Sequence, residues 1–380
     1  MRFGLKNRLR LISLLPIFVL FIIASYYTYD SFINFNAAKV LQDKLSQNRQ
    51  LNDLIANISS ERGMTVIYLG NSSPNTLKSL LEQRTKVDEK SLLYLSNMKD
   101  ANALHDHNDA DTFCKSCVNT KSISESIEEI KKIRLLVDTQ ETDFTNVYQN
   151  VYGKTQHNAI VQLEAITKNQ TDLEIQELSN TYISLVRLKE FTAQERDLIS
   201  YTLARSTTID LEHQNKWISL IGKSELFSYD RLNNKSLIQG LNTIFNHEKT
   251  VELTNDINTQ RANIISSSHS GVYELRSGIW FTMLSEKINV ILKAEEMVLG
   301  LMDARATQVQ SDAVQILILS ITIWLISLIM AILGYLLSNE IAGNIRNLEN
   351  VLRGVAEDTR DTHDHDIVID LHTSSGTAEA

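Results

Sequence analysis

Two long stretches without a single charged residue limit what this chain can fold into. Leu11 to Tyr27 reads LISLLPIFVLFIIASYY, and Ala313 to Leu337 reads AVQILILSITIWLISLIMAILGYLL. A helix of roughly 20 apolar residues crosses about 30 Å of hydrocarbon, so the second stretch spans a bilayer and the first, taken on to Tyr29, reaches the same length. The first stretch ends in Tyr26, Tyr27 and Tyr29, which offer no small-x-small cleavage site, so it reads as an uncleaved anchor and not a signal peptide. Arg2, Lys6, Arg8 and Arg10 precede it, and basic flanks stay in the cytoplasm. The expected layout is a cytoplasmic N-terminus over 1–10, transmembrane helices over 11–29 and 313–337, an extracytoplasmic domain over 30–312, and a cytoplasmic segment over 338–380.

The outer segment reads as helix throughout. With 2 prolines and 13 glycines in 380 residues, turn formers are too scarce for the many short strands of a sandwich or barrel. Leu45, Leu51, Leu54, Ile55 and Ile58 continue the first span at helical spacing, which predicts a rod of about 60 Å reaching Leu69, with Gly63 as its first breaker. The pattern returns over 77–98, 123–151, 160–204, 213–245 and from Val251 into the second span. Long helices with short polar breaks predict an all-α fold of stacked antiparallel four-helix bundles between two transmembrane helices.

Chemistry is scarce. The chain has no phosphate-binding Gly-rich loop, no HExxH and no GxSxG, and a net charge of −9 argues against nucleic acid as a partner; an enzyme is not expected, nor a bound cofactor. Cys114 and Cys117 form a CKSC beside His105 and His107. A local disulfide in an oxidising compartment is the favoured reading, with a zinc or copper site as the other. Ser59-Ser60-Glu61-Arg62-Gly63 and Gln194-Glu195-Arg196 each put a Glu-Arg pair among apolar neighbours in separate helices. Singly, each arginine reads as a solvated surface residue, as does Arg134. Together, two guanidinium forks facing one another would make a site for a planar oxyanion.

Ser60-Glu61-Arg62-Gly63-Met64-Thr65-Val66, followed by Gln83-Arg84-Thr85-Lys86-Val87-Asp88, resembles the opening of the nitrate- and nitrite-sensing (NIT) domain. Lys189 to Arg196 is similar to that family's second Glu-Arg motif, and Trp280-Phe281 to its closing segment. The resemblance covers about 48–300. It implies nitrate or nitrite bound by Arg62 and Arg196, with Arg261 as a looser third, in a bacterial inner-membrane receptor with a periplasmic sensor, a homodimeric state and a cytoplasmic output partner. Ile341, Ile345, Leu348, Val351, Leu352 and Val355 carry a coiled-coil spacing that resembles a HAMP relay, though an ordinary amphipathic juxtamembrane helix has the same pattern. No output module follows it in this sequence. A sensor of a small organic ligand and a ligand-free structural ectodomain are the rival readings. The topology predicts that a reporter fused at Ala380 behaves as cytoplasmic; periplasmic activity of that fusion would refute the two-span layout.

Overall fold

The computed structural model describes residues 5–105, 115–167 and 172–362. They form nine α-helices and one π-helix, with no strand among the described residues. In order these are α1 (Leu5–Gly70), α2 (Pro74–His105), α3 (Lys115–Asp138), the π-helix (Asn146–Gly153), α4 (Lys154–Thr167), α5 (Leu173–Arg205), α6 (Leu211–Glu225), α7 (Lys235–Phe245), α8 (Glu248–Ser267) and α9 (Ser277–Thr362). Cys114, His107 and the side chains of His105 and Cys117 lie outside the described residues, so the disulfide and metal readings are not addressed.

The chain divides into two compact units. One comprises 1–39 and 307–380, where α1 and α9 each hold a stretch long and apolar enough to cross a membrane. Its large side chains point outward: Phe18, Ile318 and Leu319 are all exposed. Its buried positions are small residues, among them Ala24, Ser31, Ala313, Ser320 and Ser327. Small residues at the contact let two backbones approach closely where lipid covers the larger side chains. Phe21 packs on Trp324 across the pair, with ring centroids 5.1 Å apart.

The other unit, Val40–Ala306, contains one continuous apolar core. Its central helix is α5, which is buried on more than one face: Leu185, Glu190, Ala193, Glu195, Arg196 and Asp197 are all inaccessible or nearly so. Over 188–203 this helix has no solvated stripe on which to place its charges, so each must find a partner inside.

Several continuous helices expected from the periodicity are interrupted. The stretch 160–204 breaks before α5, where the Asp172 side chain accepts the Ile175 N–H at 3.0 Å and caps the helix. The stretch 213–245 breaks between α6 and α7, whose N-caps are Asp210 and Asn234. The helix expected from Val251 onward ends at Ser267, and the turn before α9 uses Gly271 at φ +66, a left-handed conformation that suits glycine. Gly63 is the opposite case: α1 runs straight through it.

The π-helix carries buried Val147, Tyr148 and Tyr152. A Cβ on Gly153 would lie 2.8 Å from the Tyr148 carbonyl oxygen, which is backbone and cannot swing aside. Gly153→Ala should therefore cost about 1–3 kcal/mol, read as a lower denaturation midpoint of the detergent-solubilised chain, together with loss of near-UV ellipticity from the two tyrosines. An unchanged midpoint would show that the π-helix does not depend on this glycine.

Candidate functional site: two Glu-Arg pairs around Asp197

The two Glu-Arg pairs meet in the interior. Arg62 on α1 has no exposed surface and Arg196 on α5 is 2% exposed. Both donate to one carboxylate, that of Asp197: Arg62 Nε to Oδ2 at 2.7 Å, and Arg196 Nε to Oδ1 at 2.8 Å. Arg62 also donates through Nη1 to Glu190 at 2.6 Å, and Arg196 through Nη1 to the Ser285 hydroxyl at 3.2 Å and through Nη2 to the Ser59 carbonyl at 3.0 Å. Burial opposes the Arg62 charge, but Glu190 and Asp197 outweigh it and hold the guanidinium pKa above its ordinary value. Aromatic rings cover the outer faces, Tyr148 at 5.6 Å from Arg62 Cζ and Phe281 at 4.3 Å from Arg196 Cζ.

The glutamates of the two pairs turn the other way, and each takes a bidentate arginine. Arg134 on α3 donates through Nε and Nη2 to the two oxygens of Glu61, both at 2.8 Å. Arg261 on α8 donates through the same two nitrogens to Glu195 at 2.7 and 2.6 Å. Each glutamate also accepts from one aromatic donor, Tyr152 Oη to Glu61 at 2.5 Å and Trp217 Nε1 to Glu195 at 3.0 Å. Burial and the Glu61 charge hold the Tyr152 phenol well above the ordinary tyrosine value, so it remains a donor. The same arrangement is thus built twice, once around Glu61-Arg62 and once around Glu195-Arg196.

Of the three arginines singled out in the sequence, Arg62 and Arg196 converge. Arg261 does not join their carboxylate; its remaining contacts are Glu225 at 3.0 Å and Asn258 at 2.8 Å. Arg134 corrects the sequence reading. It is 8% exposed, paired with Glu61 and Asp88, and is no surface residue. Residues missed in the sequence include Asp197, Glu190, Tyr148, Tyr152, Trp217 and Ser285. Asp197 follows the second Glu-Arg pair directly, a signal available from the triplet alone.

A cavity of about 250 Å³ opens beside Arg196, lined also by Ser59, Lys189, Glu190, Phe281 and Ser285. Lys189 on its wall is buried and donates to Asn52 and Glu295, both at 2.7 Å. The Lys216 ammonium stands 4.8 Å from the Tyr148 ring centroid, and burial, with Arg62 nearby, pulls it below the ordinary lysine range. Among the described residues, no cluster of three His, Cys, Asp or Glu side chains could hold a metal ion.

The comparisons with known proteins place the chain in a family. The family profile described as nitrate and nitrite sensing matches residues 53–303, and the chain belongs to that family. A solved structure described as the NasR transcription antiterminator is similar, with 15% identity, a TM-score of 0.62 and 88% of each chain covered; at that identity the likeness speaks for the fold. A search of the curated proteins returned no match.

Truncating one member of a buried ion pair strands the other, at about 3–5 kcal/mol. Arg134→Ala should therefore lower the stability of the solubilised protein by about that amount, while Arg187→Ala, which removes a half-exposed partner of Glu164, should change it by less than about 1 kcal/mol. Equal midpoints for the two variants in urea denaturation would contradict the burial described for Arg134.

Proposed function

We propose that the chain is a membrane receptor that binds nitrate or nitrite at Arg62 and Arg196 and passes the signal inward through α1 and α9. The observation that carries this reading is the convergence of two guanidinium groups, from separate helices, on one buried carboxylate beside a cavity. A planar oxyanion offers the same paired oxygen acceptors as a carboxylate, and the rigid arginine fork suits it. Arg261 supports the site through Glu195, the residue before Arg196, which it holds with two hydrogen bonds.

The apolar stretches in α1 and α9 support a two-span topology, with the outer unit as two stacked four-helix bundles that share α5. In this reading 30–312 is the periplasmic sensor and 338–380 a HAMP-like linker that couples a homodimer to a cytoplasmic output partner. A ligand shifts such a receptor only through unequal affinity for its two arrangements. Bridging α1 to α5 through a bound ion, where a side chain bridges them otherwise, is a difference of that kind.

Calorimetric titration of the solubilised full chain with nitrate, nitrite and amino acids tests the reading. Nitrate or nitrite should give saturable heat. Arg196→Ala should weaken binding roughly ten- to a hundred-fold, Arg196→Lys should recover part of it, and Arg187→Ala should leave it unchanged. Saturable binding of an amino acid and not of either oxyanion would favour an organic-ligand receptor. No binding by any ligand would favour a structural ectodomain.

A further inference from the structure

The geometry points to Asp197 as a tethered occupant of the anion seat: its carboxylate holds the two Nε–H donors that the oxyanion takes, and binding is an exchange of one for the other. The inference rests on the anion-receptor reading above and adds where the ligand sits and what it must displace.

Three observations carry it. The first is charge. Arg62 and Arg196 are already balanced inside the protein by Asp197 and Glu190, with all four side chains nearly or wholly buried. Adding an anion to a neutral, buried cluster leaves one uncompensated negative charge, which a low-dielectric interior penalises heavily. Exchanging one anion for another does not.

The second is shape. Asp197 presents two oxygens on one planar centre, one to each guanidinium, at 2.7 and 2.8 Å. Nitrite and nitrate present the same pair of oxygens. Glu190 is not an equivalent occupant: its hydrogen bonds run to Arg62 and not to Arg196, and the oxygen that takes Arg62 Nη1 also accepts from Gln194 Nε2 at 2.8 Å.

The third is space. The triplets Glu61-Arg62-Gly63 and Glu195-Arg196-Asp197 carry the same first two residues and differ in the third. A Cβ on Gly63 would lie 2.5 Å from Asp197 Oδ1 and 2.9 Å from Arg196 Nη2. The missing side chain of the first triplet is therefore the room into which the carboxylate of the second is received. The adjoining cavity is lined by Arg196, with Lys189 and Glu190, of opposite charge, on its wall, and not by Asp197, so an ion arriving there meets the Arg196 side chain before it meets the Asp197 carboxylate.

Exchange has a specificity consequence. A ligand must offer two acceptor oxygens at carboxylate spacing to repay the loss of Asp197 from both arginines, and a single-atom anion such as chloride cannot. Asp197 thus sets the threshold concentration for response and selects for planar oxyanions.

The test uses the solubilised full chain with nitrate, formate and chloride as sodium salts. Asp197→Asn keeps the shape, removes the charge and points an amide N–H at one arginine; nitrate should bind it roughly tenfold or more tightly than the parent. Asp197→Ala vacates the seat; nitrate and formate should each raise its melting temperature and chloride should not, and formate should raise the parent's by much less, because there it must first displace the tethered carboxylate. If the variants fold only in the presence of anion, recovery on refolding in formate but not in chloride supports the exchange, and recovery in neither overturns it. A folded Asp197→Asn that binds nitrate no better than the parent overturns it as well. A parent and variants that all ignore nitrate, with Asp197→Ala still stabilised by formate, would sink the nitrate reading and leave the seat standing.

Discussion

A guanidinium group removed from water is tolerated only where a carboxylate goes with it, and the interior of this protein is arranged around that rule. Arg62 and Arg196 are almost wholly buried, so their position is fixed by Asp197, which ties a helix from the start of the Val40–Ala306 unit to the helix at its middle. Two further buried carboxylates stand on the same two helices. Glu61 and Glu195, one residue before each arginine, face away from it and require their own cations from α3 and α8. Four flanking helices or turns are thereby positioned by two dipeptides: α3 and the π-helix by Glu61, α6 and α8 by Glu195.

Replacing such a network with apolar side chains of similar volume is often neutral or stabilising, so its retention asks for a reason beyond stability. In the proposed receptor anion sensing supplies one: a site that must hold cations ready without collapsing when no ligand is bound can use an internal carboxylate as an exchangeable occupant. The aromatic rings of Tyr148 and Phe281 complete the enclosure without adding charge of either sign.

Much of this was legible in the sequence. The apolar stretches, the scarcity of proline and the 3.6-residue periodicity led to an all-helical chain, and α1 ends within a residue of where the pattern placed it. Two Glu-Arg pairs in apolar surroundings led to Arg62 and Arg196. Helix ends were less legible, because Asp172, Asp210 and Asn234 look like ordinary surface residues until their side chains are seen to accept backbone N–H groups. Arg134 was misread for a related reason: its partner Glu61 lies 73 positions away, and no local pattern marks a residue as paired over such a separation. The π-helix has no periodicity of its own that distinguishes it from α.

Gly63 and Asp197 lie on different helices yet compete for the same small volume. Their histories are therefore joined. A relative in which any side chain replaces the glycine has to shorten or redirect residue 197 and shift the Phe281 ring as well, since a Cβ there would lie 2.6 Å from Phe281 Cε2. Substitutions at the two positions will not add, and in an alignment of the family they should change as a pair even though their neighbours in sequence drift independently.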